Sequence, residues 1–364
     1  MISHLRADGP VLITTGDGLG HLTLNRPRAI NALDHEMVGL ITAALTAWEH
    51  DDDVAAVIIS GAGDRGLCAG GDIRAIYQDA LSGGTASIDF WRDEYLMNYL
   101  IARYVKPVVA LMDGLVMGGG VGLAAHASHR IVTDRTQLAM PEVTIGLIPD
   151  VGGTYLLARA PGWLGLHAGL TGTRLGAADV ITLGMADHYV DHRDLAELVA
   201  TIAVNGVESA VYSFGGSLPP GSLPAQRTWV DNCYGAPTPQ EIVLRLRSAG
   251  QPEAQAAADA ITAASPTCVT ASLLAIRTVR SEAATLEQAL NLEFRAVNAA
   301  LRSTDLAEGI RAQVIDKDRQ PVWSPPTFDG VTDERLRSFF APVDNPPFPE
   351  QEELVVPQLF EDAR

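Results

Sequence analysis

Positive charge is what this chain has least of: among 364 residues, 26 are Lys or Arg against 44 Asp or Glu, a formal net charge of -18 at pH 7. Nucleic-acid backbones are gripped by clustered cations that neutralise phosphates, so nucleic acid is excluded as a partner. An anionic small molecule would have to be held by backbone amides and one or two well-placed cations. Cysteine is also scarce. Cys68, Cys233 and Cys268 are far apart, with no CxxC and no His at metal-ligand spacing. That excludes a disulfide framework, leaves no metal expected, and suits reduced thiols in a reducing compartment. No apolar run approaches the roughly 20 residues of a membrane span, so no membrane partner is expected. The N-terminal "MISHLRADGPVLITT" has neither the basic-then-apolar pattern of a secretory signal nor the Arg/Ser-rich pattern of a transit peptide, and a cytoplasmic location is the expectation. GxSxG, HExxH, Walker A and EF-hand loops are absent as well.

What is present is an ordinary globular composition, 47% hydrophobic and 19% charged, outside the disordered class. The length exceeds one small core. "VLITT" and "HLTLN" around "GDGLG" predict a hairpin. After Asp34, an N-cap residue, Met37, Leu40, Ile41, Ala44, Leu45 and Trp48 follow helical spacing up to the solvated "DDD" at Asp51 to Asp53. "VAAVIIS", "PVVALMDG" and "HRIVTD" read as buried strands, each leading into a loop and then helix. Strand, glycine-rich loop and helix in recurrence predict an α/β fold over residues 1–200. From about residue 200 the pattern changes. After "SFGGSLPPGSLPAQ", helical periods fall at 239–249, 252–263, 267–282, 286–302 and 305–316 with no strand, so residues 201–364 are expected to be helical, ending in an extended acidic, proline-rich tail from "APVDNPPFPEQEE".

Two features point to chemistry. "MPEVTIGLIPDVGG" carries Glu142 and Asp150 in an otherwise apolar, glycine-rich run, where a carboxylate is costly unless paired or hydrogen-bonded. They are either a cap and a turn residue or a catalytic pair. "CAGGDI" and "MGGGVGL" each sit at a loop-to-helix junction, where N–H groups lack helical partners and glycine lets a ligand approach. The glycines either serve close packing or aim two amides at one oxygen. "GAGDRG", Gly61 to Gly66, matches a dinucleotide fingerprint, but the glycines of "LCAGGD" fall where its helix should run.

"LNRPRAINAL", "CAGGDI", "MGGGVGLAAH" and "MPEVTIGLIPDVGGTYLL", in this order, resemble the enoyl-CoA hydratase/isomerase (crotonase) superfamily over residues 11–190. "WRDEYLMNYLIARYVKPVVALMDG", "IPDVGG", "SPTCVTASL" and "EGIRAQVIDKDRQPVW" extend the match to about residue 325 and are similar to its 3-hydroxyisobutyryl-CoA hydrolase branch. The resemblance implies a crotonase-like spiral of β-β-α repeats with a helical C-terminal region. It implies hydrolysis of a 3-hydroxyacyl-CoA, with CoA as part of the substrate and no separate cofactor, and a place in valine breakdown. It also implies site residues. Gly71 and Gly119 would supply oxyanion-hole amides, Glu142 the catalytic carboxylate and Asp150 the second acid, with Glu94 touching substrate. Ala69, Gly71, Asp72 and Ile73 would bind CoA, and Lys317 would meet a CoA phosphate.

Hydratases of this superfamily use two glutamates, and the first falls here on Gly122. Losing one member of an acid/base pair weakens water addition across an alkene, so the chemistry is expected at the thioester carbonyl, with Glu142 as general base or as nucleophile. The alternatives are a hydratase or isomerase, and a non-catalytic CoA-ester-binding subunit. Crotonase relatives commonly form trimers or hexamers, so a homo-oligomer is an open expectation, put in doubt by the long C-terminal region. His126, Cys68, Trp163 and Trp323 read as structural.

Overall fold

The N-terminal hairpin consists of β1 (Val11–Gly16) and β2 (Leu19–Leu24), antiparallel with Val11 opposite Leu24. Asp17 and Gly18 make the turn at φ 52° and 77°, as a two-residue hairpin loop requires. Asp34 caps α1 (His35–Trp48) by accepting from the Met37 N–H at 3.0 Å. In this computed structural model, which describes residues 8–349 together with residues 354 and 356, the chain groups into two units. One gathers the residues up to Asp72, Asp93–Ala139 and Arg174–Ser222; the other gathers Ile73–Arg92, Met140–Thr173 and Leu223 onward. Neither unit ends near residue 200, because each is assembled from segments distant in sequence.

The first unit is built by a strand pair used three times. β3 (Ala56–Gly61) is followed by β4 (Gly66–Cys68), β5 (Val108–Met112) by β6 (Leu115–Met117), and β7 (His129–Val132) by β8 (Gln137–Ala139). The first strand of each pair enters a six-stranded sheet ordered β1-β2-β3-β5-β7-β9, closed by β9 (His188–Tyr189), and the second enters a three-stranded sheet ordered β4-β6-β8. Among the described residues the strand-to-strand ladders beyond the hairpin are parallel, with isolated antiparallel bridges at Gly66–Gly114 and Leu138–Leu175. This is the spiral of β-β-α repeats that the resemblance implied. Successive residues of β3 face opposite sides. Ile58 joins Val109, Leu111 and Ile131 under Leu198, Ile202, Val207 and Val211, while Val57 and Ile59 are fully buried on the other face. Those four covering residues come from two helices in the region expected to change character, Leu195–Asn205 and Val207–Ser213. The "GAGDRG" segment opens no helix: its last glycine begins β4, where a Cβ would collide with the Leu115 N.

The second unit is helical. It contains α2 (Ile73–Ser82), the 3-10 turn Glu142–Ile145, α3 (Gly153–Arg159) and α4 (Leu164–Thr171). After residue 222 come α5 (Leu223–Tyr234), α6 (Pro239–Ser248), α7 (Pro252–Ala263), α8 (Pro266–Ser281), α9 (Leu286–Leu301) and α10 (Thr304–Ile310), then a π turn Arg311–Ile315 and α11 (Asp333–Phe339). The starts are written in the sequence: Thr238 and Ser265 accept from the third N–H after them, and Thr285 with Gln288 forms a capping box. Among the described residues no strand follows Tyr189. No single helix there is long and apolar enough to cross a membrane; α7 and α8 reach that length only as a pair bent by 113°. The tail differs from a free extension as far as Phe348, whose N–H and C=O both bond the side chain of Asn291 on α9 at 3.1 and 2.9 Å. "EQEE" lies outside the described residues.

Candidate active site

In the first unit the two glycine loops meet. An isolated parallel bridge joins Leu33 to Gly71, with the Leu33 N–H donating to Gly70 O (2.8 Å) and the Asp72 N–H to Leu33 O (2.7 Å). In that pattern Gly71 turns its own N–H to the side away from Leu33. Gly119 is the first residue of the helix Gly119–Ala125, where an N–H has no acceptor within the helix. A Cβ built on Gly119 would lie 3.3 Å from the Gly71 N and 3.4 Å from Leu33 Cδ1, and would overlap Glu94 Oε1. One built on Gly120 would press against Cys68 O and Cβ. Both glycines are therefore needed for close approach, and Gly119 comes against the Gly71 backbone and the end of the buried Glu94 side chain, a residue 2% exposed.

Around this group the proposed CoA loop is fixed. The Ala69 N–H donates to Ile30 O at 2.9 Å, and Asp72 pairs with Arg26 at 2.9 Å. Arg26 also reaches Ala32 O (2.7 Å) and Asp34 (3.3 Å). That cation ties the end of "CAGGDI" to the "LNRPRAINAL" segment. Burial pushes the Cys68 thiol up to about 12, which disfavours the thiolate and fits a packing role.

The second unit carries the other acids. Glu142, 5% exposed, opens the 3-10 turn, which is held by Leu147 N–H to Glu142 O (3.0 Å) and Ser265 N–H to Val143 O (3.1 Å). Gly146 and Gly309 let this turn and α10 touch backbone to backbone, since a Cβ on either would fall within the other segment's main chain. Asp150, 4% exposed, begins a tight turn that leads into α3 through Val151 (φ 55°) and Gly152 (φ 77°). Ile73 opens α2, which packs on the segment 304–315, Arg74 donating to Val314 O at 3.5 Å. Lys317 is exposed, and its neighbours Asp316 and Asp318 are both engaged by Arg311.

One further acid was not singled out from the sequence. Glu293 on α9 is 0% exposed; it accepts from the Gly152 N–H (2.7 Å), the Thr154 N–H (2.8 Å) and the Thr154 hydroxyl. Burial pushes its carboxyl up to about 8, against the pull of these hydrogen bonds and with the charge of Asp150 adding to the rise. The pattern held a clue. Leu286, Ala289, Leu290, Glu293 and Val297 share one helical face, and an acid on an apolar stripe needs a partner.

A family model described as enoyl-CoA hydratase/isomerase matches residues 19–340. The chain belongs to this family. Its curated relatives include 3-hydroxyisobutyryl-CoA hydrolase, mitochondrial, of Rattus norvegicus, 38% identical over 93% of this chain and 92% of the relative, and that of Homo sapiens, 36% identical over 93% and 90%. Two enoyl-CoA hydratase/isomerase-fold structures align with it over nearly their whole length. One, from Mycobacterium thermoresistibile, is titled carnitinyl-CoA dehydratase (48% identity, TM-score 0.91, 95% of this chain and 100% of that one). The other, from Rhodobacter sphaeroides 2.4.1, is titled enoyl-CoA hydratase (42% identity, TM-score 0.87, 92% and 98%).

Proposed function

We propose that the protein hydrolyses 3-hydroxyacyl-CoA thioesters, 3-hydroxyisobutyryl-CoA foremost, to the hydroxy acid and CoA, with no cofactor beyond the CoA of the substrate. Relatives bearing the hydrolase name over nine-tenths of both chains support it. The observation that carries it over water addition is at position 122. A glycine stands there, buried in the helix Gly119–Ala125, so the first glutamate of the hydratase pair has no counterpart at this position.

In this reading the thioester oxygen accepts from the Gly71 and Gly119 amides, which strengthen their bonds as the oxygen becomes an oxyanion; each donor is worth about 3–4 kcal/mol in the transition state. Glu142 either takes a proton from the attacking water or attacks the carbonyl itself to form an anhydride that water then opens. On either route the C–S bond breaks and CoA leaves as the thiol. Asp150 and Glu94 bind the 3-hydroxyl. A site built for a hydroxyl rejects the analogue without it, because its own polar groups would be left unpaired. Ala69, Gly71, Asp72, Ile73 and Lys317 hold the CoA moiety, and the resemblance to the hydrolase branch supports a role in valine breakdown.

Hydration or dehydration, the activity in the titles of the two solved structures, is the second reading. Free-thiol release from 3-hydroxyisobutyryl-CoA, 3-hydroxypropionyl-CoA, isobutyryl-CoA and crotonyl-CoA separates the two. Thiol from the hydroxylated pair alone is expected. Loss of crotonyl absorbance without thiol would replace hydrolysis by hydration.

A further inference from the structure

The N-terminus of α3 has no capping side chain of its own, since its N-cap is Gly152. Its open N–H groups are met instead by a residue far along the chain, Glu293, which takes the Gly152 and Thr154 N–H groups on its two oxygens and the Thr154 hydroxyl on one of them. The residue between Asp150 and this grip is Val151, at φ 55°. A β-branched side chain is strained in the left-handed region and stays there only where its surroundings fix it. Were packing the sole requirement on α9, a Leu would serve at lower cost than a buried acid.

We propose that Glu293 is a positioning residue for Asp150: by holding the two amides directly beyond Val151 it keeps that residue in its strained turn, fixes the direction in which Asp150 is presented, and thereby sets selectivity for a 3-hydroxyl. This rests on the reading of Asp150 as the hydroxyl-binding acid. Gln at 293 keeps the shape but turns an NH2 donor onto one of the N–H donors, so the grip is broken at one oxygen while the core stays filled. Released, Val151 relaxes toward the extended region and carries Asp150 with it. A misplacement of about 1 Å at a reacting group can cost about 100-fold.

The test uses the full-length protein and its Glu293→Gln variant, with kcat and KM for 3-hydroxyisobutyryl-CoA and isobutyryl-CoA, and amide hydrogen exchange over residues 150–156. In the variant, kcat/KM for the hydroxylated ester is expected to fall roughly 100-fold while that for isobutyryl-CoA changes by less than about threefold. Exchange at Gly152 and Thr154 should accelerate at least tenfold or so. Val151→Gly, added to the variant, removes the strain and should restore part of the selectivity. Equal losses on both esters, with no recovery in the double variant, would make Glu293 a structural residue only and overturn the proposal. A wild-type enzyme that does not prefer the hydroxylated ester would defeat the Asp150 reading. In that event exchange alone judges the grip, and unchanged protection in the variant overturns it.

Discussion

Replacing Gly119 by Ala tests the oxyanion hole most directly. The new methyl would overlap Glu94 Oε1 and sit 3.3 Å from the Gly71 N. The first contact is with the end of a side chain that can swing aside, so the fold should survive. The second contact is the consequential one. An oxyanion held by the Gly71 amide must come to about 2.9 Å from its nitrogen, into the space that the methyl enters. Loss of one such donor costs about 100-fold to 1,000-fold in kcat, or about 2.7–4 kcal/mol. We therefore expect kcat for CoA release from 3-hydroxyisobutyryl-CoA to fall by at least about 100-fold; its KM should rise too, since the displaced Glu94 also binds the 3-hydroxyl, whereas KM for isobutyryl-CoA, which lacks that group, should change only a few-fold. Gly39 supplies the control. It is exposed on α1 with open space where a Cβ would stand, so Gly39→Ala should leave kcat unchanged. A folded Gly119→Ala enzyme turning over within about threefold of wild type would refute the assignment of this amide pair.

Glu142→Gln should bring CoA release to background while equilibrium binding of a CoA ester, measured by calorimetry, stays within a few-fold; surviving turnover would remove Glu142 from the chemistry. The pH dependence of stability should carry the mark of Glu293. Its carboxyl is raised to about 8 in the folded protein from about 4.5, so the native state binds more protons than the unfolded one between those values. Stability conferred by the neutral form is full below about 4.5 and lost as pH rises through 8. Urea midpoints of wild type and Glu293→Gln, compared at pH 5, 6.5 and 8, should therefore diverge, wild type losing ground as pH rises. Asp305, also raised by burial, is common to both proteins and cancels. A pH-independent difference would mean that Glu293 stays ionised throughout.

The helices α6 to α10 were legible almost to the residue from their apolar 3.6-residue period, helped at three of them by side-chain caps at Thr238, Ser265 and Thr285, whereas α11 was not foreseen. β4, β6 and β8 were not. Three residues carry no alternation, and their pairing depends on Gly66 lying against Leu115, a fact of three dimensions. The helices over 195–213 were passed over for a related reason: their apolar residues mean little until a sheet face stands opposite them. Glu142, Asp150 and Glu94 were named from motif alone, and the structure adds that each is buried. Glu293 escaped because its partners lie 139 and 141 residues away.

The sequence by itself determined the repeating α/β order, the helical C-terminal half, the glycine junctions and the absence of a second glutamate at position 122. These are matters of local period, backbone freedom and residue identity. Only the tertiary structure decided that each repeat splits its two strands between different sheets, that Gly119 lies against the Gly71 backbone and the end of Glu94, and that a distant acid caps the turn carrying Asp150. Such pairings depend on which segments come within hydrogen-bonding distance, and chain order alone does not encode that distance.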